Sequence, residues 1–244
     1  MIPNFPMASS KFRLILDPPR SGAQNMALDE VLAHAQSEEG TLPSLRFYGW
    51  DQPVVTVGYF EDVFKAAKRF QAEEKNLAVV RRLTGGGAVC HGKDLTFSLC
   101  LRLPSIHVPA DVKGSYLKIN EAVRLGLKPD HPEIDFADCR TASSVSAGQK
   151  ERVCFEALSC YDLHAKGKKI LGASQRRIGR TLLHQSTLFL DRDPEALKRG
   201  IIRGFQDLWK IDLVEGPVTP KEIRMADEIL RGRYAEKGWA YLPG

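Results

Sequence analysis

Gly87-Ala88-Val89-Cys90-His91-Gly92-Lys93-Asp94-Leu95-Thr96-Phe97-Ser98-Leu99-Cys100-Leu101-Arg102 is the stretch on which the fold class turns. Its first half has nearly the glycine and lysine spacing of a phosphate-binding P-loop. Asp94 stands, however, where that loop needs a serine or threonine to ligate magnesium. In the second half Leu95, Phe97, Leu99 and Leu101 alternate with Thr96, Ser98, Cys100 and Arg102, the period of a half-buried strand. A strand after the loop supplies no helix N-terminus for phosphate, so a nucleotide loop is excluded.

Working outward, residues 77–82 read as a strand that ends at Gly85-Gly86-Gly87, and residues 45–50 and 54–58 as two strands joined by a turn at Asp51-Gln52-Pro53. Residues 161–163 and 168–171 flank Lys166-Gly167 as a hairpin, and residues 182–190 form a further strand. Helices are expected over 25–36, over 113–127, along Leu197, Ile201, Phe205 and Leu208, and after the capping box Thr219-Pro220-Lys221-Glu222. Residues 141–150 are polar and small and read as a loop. Strands outnumber helices in the middle and hairpin-length links dominate. The expected fold is therefore α+β, a mixed, mostly antiparallel sheet flanked by helices, with residues 1–244 forming one domain.

Composition narrows the class. The chain is 43% hydrophobic and 27% charged, with a formal net charge of +5. That charge is too small and too dispersed for a dedicated nucleic-acid binder, though it would steer an acidic partner or phosphate-bearing ligand. No apolar run reaches the roughly 18–20 residues of a membrane helix, and no signal peptide is expected at the N-terminus. Five cysteines without a CxxC pair suggest neither a metal site nor a disulfide framework; reduced thiols in a cytoplasm are expected.

Three clusters carry chemistry. In the first, Arg81-Arg82 precede Thr84-Gly85-Gly86-Gly87 and His91; glycines let backbone approach a ligand, and the arginines can pair with carboxylate or phosphate. In the second, Cys154-Phe155-Glu156 leads to Lys168-Lys169-Ile170-Leu171-Gly172-Ala173-Ser174-Gln175. A thiolate is a good acyl acceptor, and a lysine beside an acyl carbonyl can stabilise an oxyanion. The third, His184-Gln185-Ser186-Thr187, places polar residues between apolar flanks, which fits either a pocket-lining strand or a satisfied core histidine.

Together these clusters resemble the lipoate-protein ligase and octanoyltransferase superfamily. Asn25-Met26-Ala27-Leu28-Asp29-Glu30 resembles the family's first helix, Leu45 to Trp50 with Pro53 and Val57-Gly58 its first hairpin, and Arg81 to Gly87 with His91 its acyl-binding glycine motif. Gly167-Lys168-Lys169-Ile170 with Gly172 and Gln175 resembles its lysine motif, with His184 and Thr187 in the strand that follows. The resemblance implies a fold shared with biotin protein ligases (class II synthetase-like), without the biotin ligases' glycine–arginine loop. Cys154 resembles the nucleophile of the Gram-positive-type octanoyltransferases. Departures from the pattern are Ala173-Ser174 for Ser-Ala, Ser186 for glycine, Leu158 for proline, and Gly87 where the transferase branch often has arginine.

The resemblance implies an octanoyltransferase that moves octanoate from an acyl carrier protein thioester to Cys154 and then to a lysine of a lipoyl-domain protein, such as the glycine cleavage H protein or a 2-oxoacid dehydrogenase E2. Cys154 and Lys169 would be catalytic. Arg81, Arg82, Thr84, Gly85, Gly86, Gly87, His91, Gly172, Gln175 and His184 would bind substrate. No cofactor or metal would be required. An ATP-dependent lipoate ligase, which would need ATP and Mg, is the alternative, as is acyl exchange between carrier proteins. A non-catalytic acyl-binding subunit belongs to a different class again. Neither nucleic acid nor membrane is an expected partner.

Overall fold

The computed structural model describes residues 10–138 and 161–234 together with Trp239. Its large sheet has eight strands: β1 (Lys11–Leu16), β2 (Ser44–Tyr48), β6 (Leu95–Arg102), β7 (Ile134–Phe136), β8 (Leu163–Ala165), β9 (Lys168–Ile178), β10 (Thr181–Leu188) and β11 (Asp212–Glu215). They lie in the order β11-β1-β2-β6-β10-β9-β8-β7. β1 runs parallel to β11 and β2, and the other neighbours are antiparallel. A small sheet holds β3 (Val54–Val57) between β4 (Ala78–Arg81) and β5 (Val89–His91). The expected mixed, mostly antiparallel α+β fold is what forms.

The helices are α1 (Gly22–Ala35), α2 (Val63–Arg69), α3 (Val112–Leu127), α4 (Pro194–Trp209) and α5 (Pro220–Ile229). A π turn, Leu230–Tyr234, follows α5. The capping box at Thr219 and Glu222 forms as expected, and Ser21 with Gln24 makes a second one on α1. Among the described residues no helix is long and apolar enough to cross a membrane.

Two features differ from the sequence expectation. The strands either side of Asp51-Gln52-Pro53 do not pair: β2 belongs to the large sheet and β3 to the small one. The turn therefore links two sheets rather than closing a hairpin. β6 is buried on both faces, because helices cover both. Leu95, Phe97, Leu99 and Leu101 pack in a core with α3 and α4, whereas Cys100 packs in a second core with α1 and α5. Period-two alternation distinguishes the two faces; it does not say that the polar one meets water. The hairpin at Lys166-Gly167 does form, with both turn residues at positive φ.

The α3–α4 contact is close because glycines meet there. A Cβ on Gly204 would lie 2.0 Å from the Ala122 carbonyl oxygen, which is backbone and cannot rotate away. Gly204→Ala is expected to lower stability by about 2–3 kcal/mol through overpacking, measured as a shift of the urea midpoint with unchanged slope.

Candidate active site

The small sheet sits against the α1-side face of the large one and leaves a half-open cavity between them. Met26, Tyr48, Trp50, Thr96, Gln185 and Thr187 line it from α1 and the large sheet, residues 172–174 from β9, and Thr56, Arg82, Val89 and His91 from the small sheet.

The glycine triplet does not itself line the cavity but lies behind two residues that do: a Cβ on Gly86 would be 3.1 Å from Arg82 Nη2 and 3.7 Å from Ser174 Cβ. Gly86 has φ +87°, where a side chain would be strained. Arg82 Nη2 donates to the carbonyls of Gly85 at 2.6 Å and Gly87 at 2.9 Å, and Nη1 donates to Thr56 O and Oγ1, both at 3.2 Å. Arg81 Nη1 donates to the carbonyls of Gly58, Tyr59 and Glu61. Arg82 thus braces the glycine loop and Arg81 the turn after β3, and of the pair Arg82 reaches the cavity.

His91 lies at the cavity wall under the Trp50 ring, with centroids 4.2 Å apart. Its Nδ1 is 2.8 Å from Asp94 Oδ2 and its Nε2 is 2.8 Å from Thr56 Oγ1. Burial alone would push the Asp94 carboxyl up, but the His91 hydrogen bond and charge, with donors from Thr96 and Gly92, hold it at about 2. Asp94 is therefore a fixed acceptor, and His91 Nδ1 carries a proton toward it.

Beneath the cavity runs a buried polar network. Asp29 on α1 accepts from Arg46 Nη1 and Ser98 Oγ on one oxygen, each at 2.7 Å, and from Tyr48 OH at 3.0 Å and Gln185 Nε2 at 2.7 Å on the other. Thr84 Oγ1 donates to Gln185 Oε1 at 2.6 Å, and Ser174 Oγ donates to Thr84 Oγ1 at 2.8 Å. Thr84 therefore ties the glycine loop to the floor.

Gln175 and His184 stand elsewhere. In the β9–β10 register they pair with each other, while Gly172 pairs with Thr187 and Ser174 with Gln185. Strand alternation puts the first pair on the α3 side of the sheet and the other two on the cavity side. His184 is a satisfied core histidine, with Gln175 Nε2 at 2.9 Å on Nδ1 and Ser186 Oγ at 2.6 Å on Nε2. Its strand does line the pocket, through Gln185 and Thr187. Lys169 pairs with Asp162 at 2.7 Å, both side chains largely buried. It lies three residues before Gly172 on β9, or about 10 Å along a strand. Cys154 and the 141–150 segment lie outside the described residues. Of the described thiols, burial pushes both Cys90 and Cys100 up, so both stay protonated. No group of three or more potential metal ligands occurs among the described residues.

A family model for the lipoyl protein ligase A/B catalytic domain matches residues 21–218. The chain belongs to that family. Octanoyltransferase LipM from Carboxydothermus hydrogenoformans is 28% identical over 260 residues, covering 91% of this chain and 95% of that protein. Octanoyltransferase LipM from Bacillus subtilis is 35% identical over 193 residues, covering 78% and 69%. Among solved structures, lipoate-protein ligase A bound with ATP superposes with a TM-score of 0.78 at 24% identity, covering 96% of this chain and 100% of that one. A putative lipoate protein ligase from T. acidophilum with bound lipoic acid gives 0.78 at 25%, with the same coverage. The lipoyl protein ligase A/B fold is thus present across the described core.

Of the residues singled out from sequence, Arg82, His91 and Gly172 line the cavity; Thr56, Ser174 and Gln185, which also line it, and Asp94 behind His91 were not named as site residues. For Gln185 a signal existed: strand alternation puts it on the face opposite His184. Thr56 and Asp94 were invisible because their partner, His91, comes from another strand of the small sheet or from across a turn.

One pH effect follows from His184. Burial, then the Arg177 charge, pushes the imidazole down from the usual 6.5 to about 3. The unfolded chain therefore binds a proton that the fold refuses, so stability is full above pH 6.5 and falls as pH drops toward 3, by up to about 1.4 kcal/mol per pH unit. From pH 6.5 to 5 a loss of about 2 kcal/mol is expected in urea titrations, and His184→Gln should flatten that slope. Asp94 acts in a different window, losing its contribution only as pH falls below its usual 3.8 toward about 2.

Proposed function

We propose that the chain is a cytoplasmic octanoyltransferase, one catalytic domain acting through a cysteine acyl-enzyme. Cys154 attacks the thioester of an octanoyl-acyl carrier protein and releases the carrier thiol. Lys169 and backbone N–H groups stabilise the oxyanion. The amine of a lipoyl-domain lysine then attacks the octanoyl-cysteine, the C–N bond forms, and the Cys154 thiolate leaves. Exchange between thioesters is nearly isoenergetic and thioester to amide is downhill, so no nucleotide is needed.

The observation that carries this reading is the match to octanoyltransferase LipM sequences over most of the chain, 91% of it for the Carboxydothermus hydrogenoformans protein. The cavity supports it as a place for an acyl chain: few charges line it, and Lys169 lies about 10 Å from Gly172 along β9. For the acceptor, a bipartite lipoate protein ligase from T. acidophilum is described with its E2 lipoyl domain, and it shares this fold with a TM-score of 0.74. A second reading, ATP-dependent lipoate ligation, draws on the ATP-bound ligase of the same fold.

Intact-mass measurement after mixing with octanoyl-acyl carrier protein tests the proposal. An octanoyl adduct on the wild type that is missing from Cys154→Ala is expected. Wild-type protein without adduct, together with pyrophosphate release from ATP and lipoate, would replace the transferase with the ligase. A donor screen including octanoylated lipoyl domains separates exchange between carriers.

A further inference from the structure

The hydrogen bonds under the cavity have a direction, and it ends at the ligand. Asp29 faces the Arg46 guanidinium and receives four donors. The Gln185 amide can approach it only with Nε2, since the reverse orientation would set oxygen against oxygen. Gln185 Oε1 therefore points at Thr84, 2.6 Å away. The Thr84 hydroxyl must donate there, which leaves it only lone pairs for Ser174, 2.8 Å away. Ser174 must in turn give its single proton to Thr84. What remains on Ser174 Oγ is lone pairs alone, on a residue that lines the cavity.

We propose that Gln185 and Thr84 are positioning residues that fix Ser174 Oγ as a hydrogen-bond acceptor in the cavity wall. The site then favours acyl groups bearing a donor, such as a hydroxyl, on the part of the chain lying against β9. The inference rests on the reading of this cavity as an acyl site. A plain alkyl chain leaves that oxygen without a donor, whereas a chain hydroxyl at the right carbon satisfies it. The identity of the atom that holds the proton, rather than the polarity of the wall, sets the preference. Removing the Thr84 hydroxyl reverses it: Ser174 recovers a free proton and becomes a donor toward the ligand.

The experiment is calorimetric binding of three free acids to the full chain: octanoate, hydroxyoctanoates with the hydroxyl walked along the chain one carbon at a time, and the matching oxo-octanoates. In the wild type one hydroxyl position is expected to bind about five- to tenfold tighter than its oxo counterpart, the size of one hydrogen bond. Thr84→Val should invert that ratio, Thr84→Ser should restore it, and Ser174→Ala should bring it near one. A merely structural Thr84 would weaken all ligands alike in Thr84→Val and leave the ratio unmoved, and that result overturns the inference. Absence of binding by every acid, octanoate included, also overturns it, by removing the acyl cavity it needs. The covalent adduct on Cys154 does not depend on this preference. An adduct with an unmoved ratio sinks the inference alone, and no adduct with a shifting ratio sinks only the transfer chemistry.

Discussion

Gly58→Ala is expected to slow octanoyl transfer by about a hundredfold while leaving the protein folded. The reason is a contact between backbones. A Cβ on Gly58 would lie 1.9 Å from the carbonyl oxygen of Gly86, and 3.1 Å from the carbonyl carbon of Gly85. Neither neighbour is a side chain that can swing aside. The glycine loop must retreat from β3 by at least about 1 Å, which displaces Arg82 and the cavity lining beside it, and such a misplacement is enough to cost about 10² in rate. The retreat also pulls at the Arg82 bonds to Gly85 and Gly87 and at the Tyr59 N–H bond to the Thr84 carbonyl. Stability should fall by only about 1–3 kcal/mol, as for other overpacked sites. Single-turnover transfer to a lipoyl domain measures the effect. A rate for Gly58→Ala within threefold of the wild type would show that the loop's position does not matter.

The largest loss of stability is expected at Asp29→Leu, about 3–5 kcal/mol. Arg46 is fully buried, and its guanidinium is held by Asp29 at 2.7 Å, Asp17 at 2.7 Å and Asn25 Oδ1 at 2.6 Å. Burial alone would lower its proton affinity, but the Asp29, Tyr48 and Asp17 neighbours raise it instead. Leucine removes one of the two carboxylates and at once leaves donors on Tyr48, Ser98 and Gln185 without their acceptor. A buried charge that has lost a partner costs more than the pair was worth. Because Arg46 carries the stranded charge, Asp29→Leu with Arg46→Met should recover part of the loss. Urea denaturation of the single and double variants reads both quantities. A single-variant loss under about 1 kcal/mol would mean that water or Asp17 replaces Asp29 without difficulty.

The sequence by itself determined the elements and the chemistry they carry. Alternation along Leu95 to Arg102 names a strand because side chains on a strand must change sides at each residue, wherever the strand is placed. Thr219 and Glu222 announce a helix start because the orphan N–H groups are satisfied within three residues. Lys166-Gly167 marks a hairpin because the two turn residues must take positive φ. All three are local arguments, and all three hold in the fold. The rejected P-loop belongs with them, since a strand does follow Gly92-Lys93-Asp94.

What only the tertiary structure decided was the company those residues keep. Nothing local says that the turn at Asp51-Gln52-Pro53 passes from one sheet to another, or that β6 is covered twice. Nothing local assigns Arg82 to the carbonyls of its own loop instead of to a ligand, or puts His184 on the far face and Gln185 in the cavity. Each of these depends on which strand lies next to which, and a register shift of one residue would have exchanged the two faces of β10. The acceptor oxygen of Ser174 is the extreme case. Its state is set through three hydrogen bonds by Asp29, 145 positions away in the chain, and hydrogen-bond direction passes between residues only after packing has brought them together.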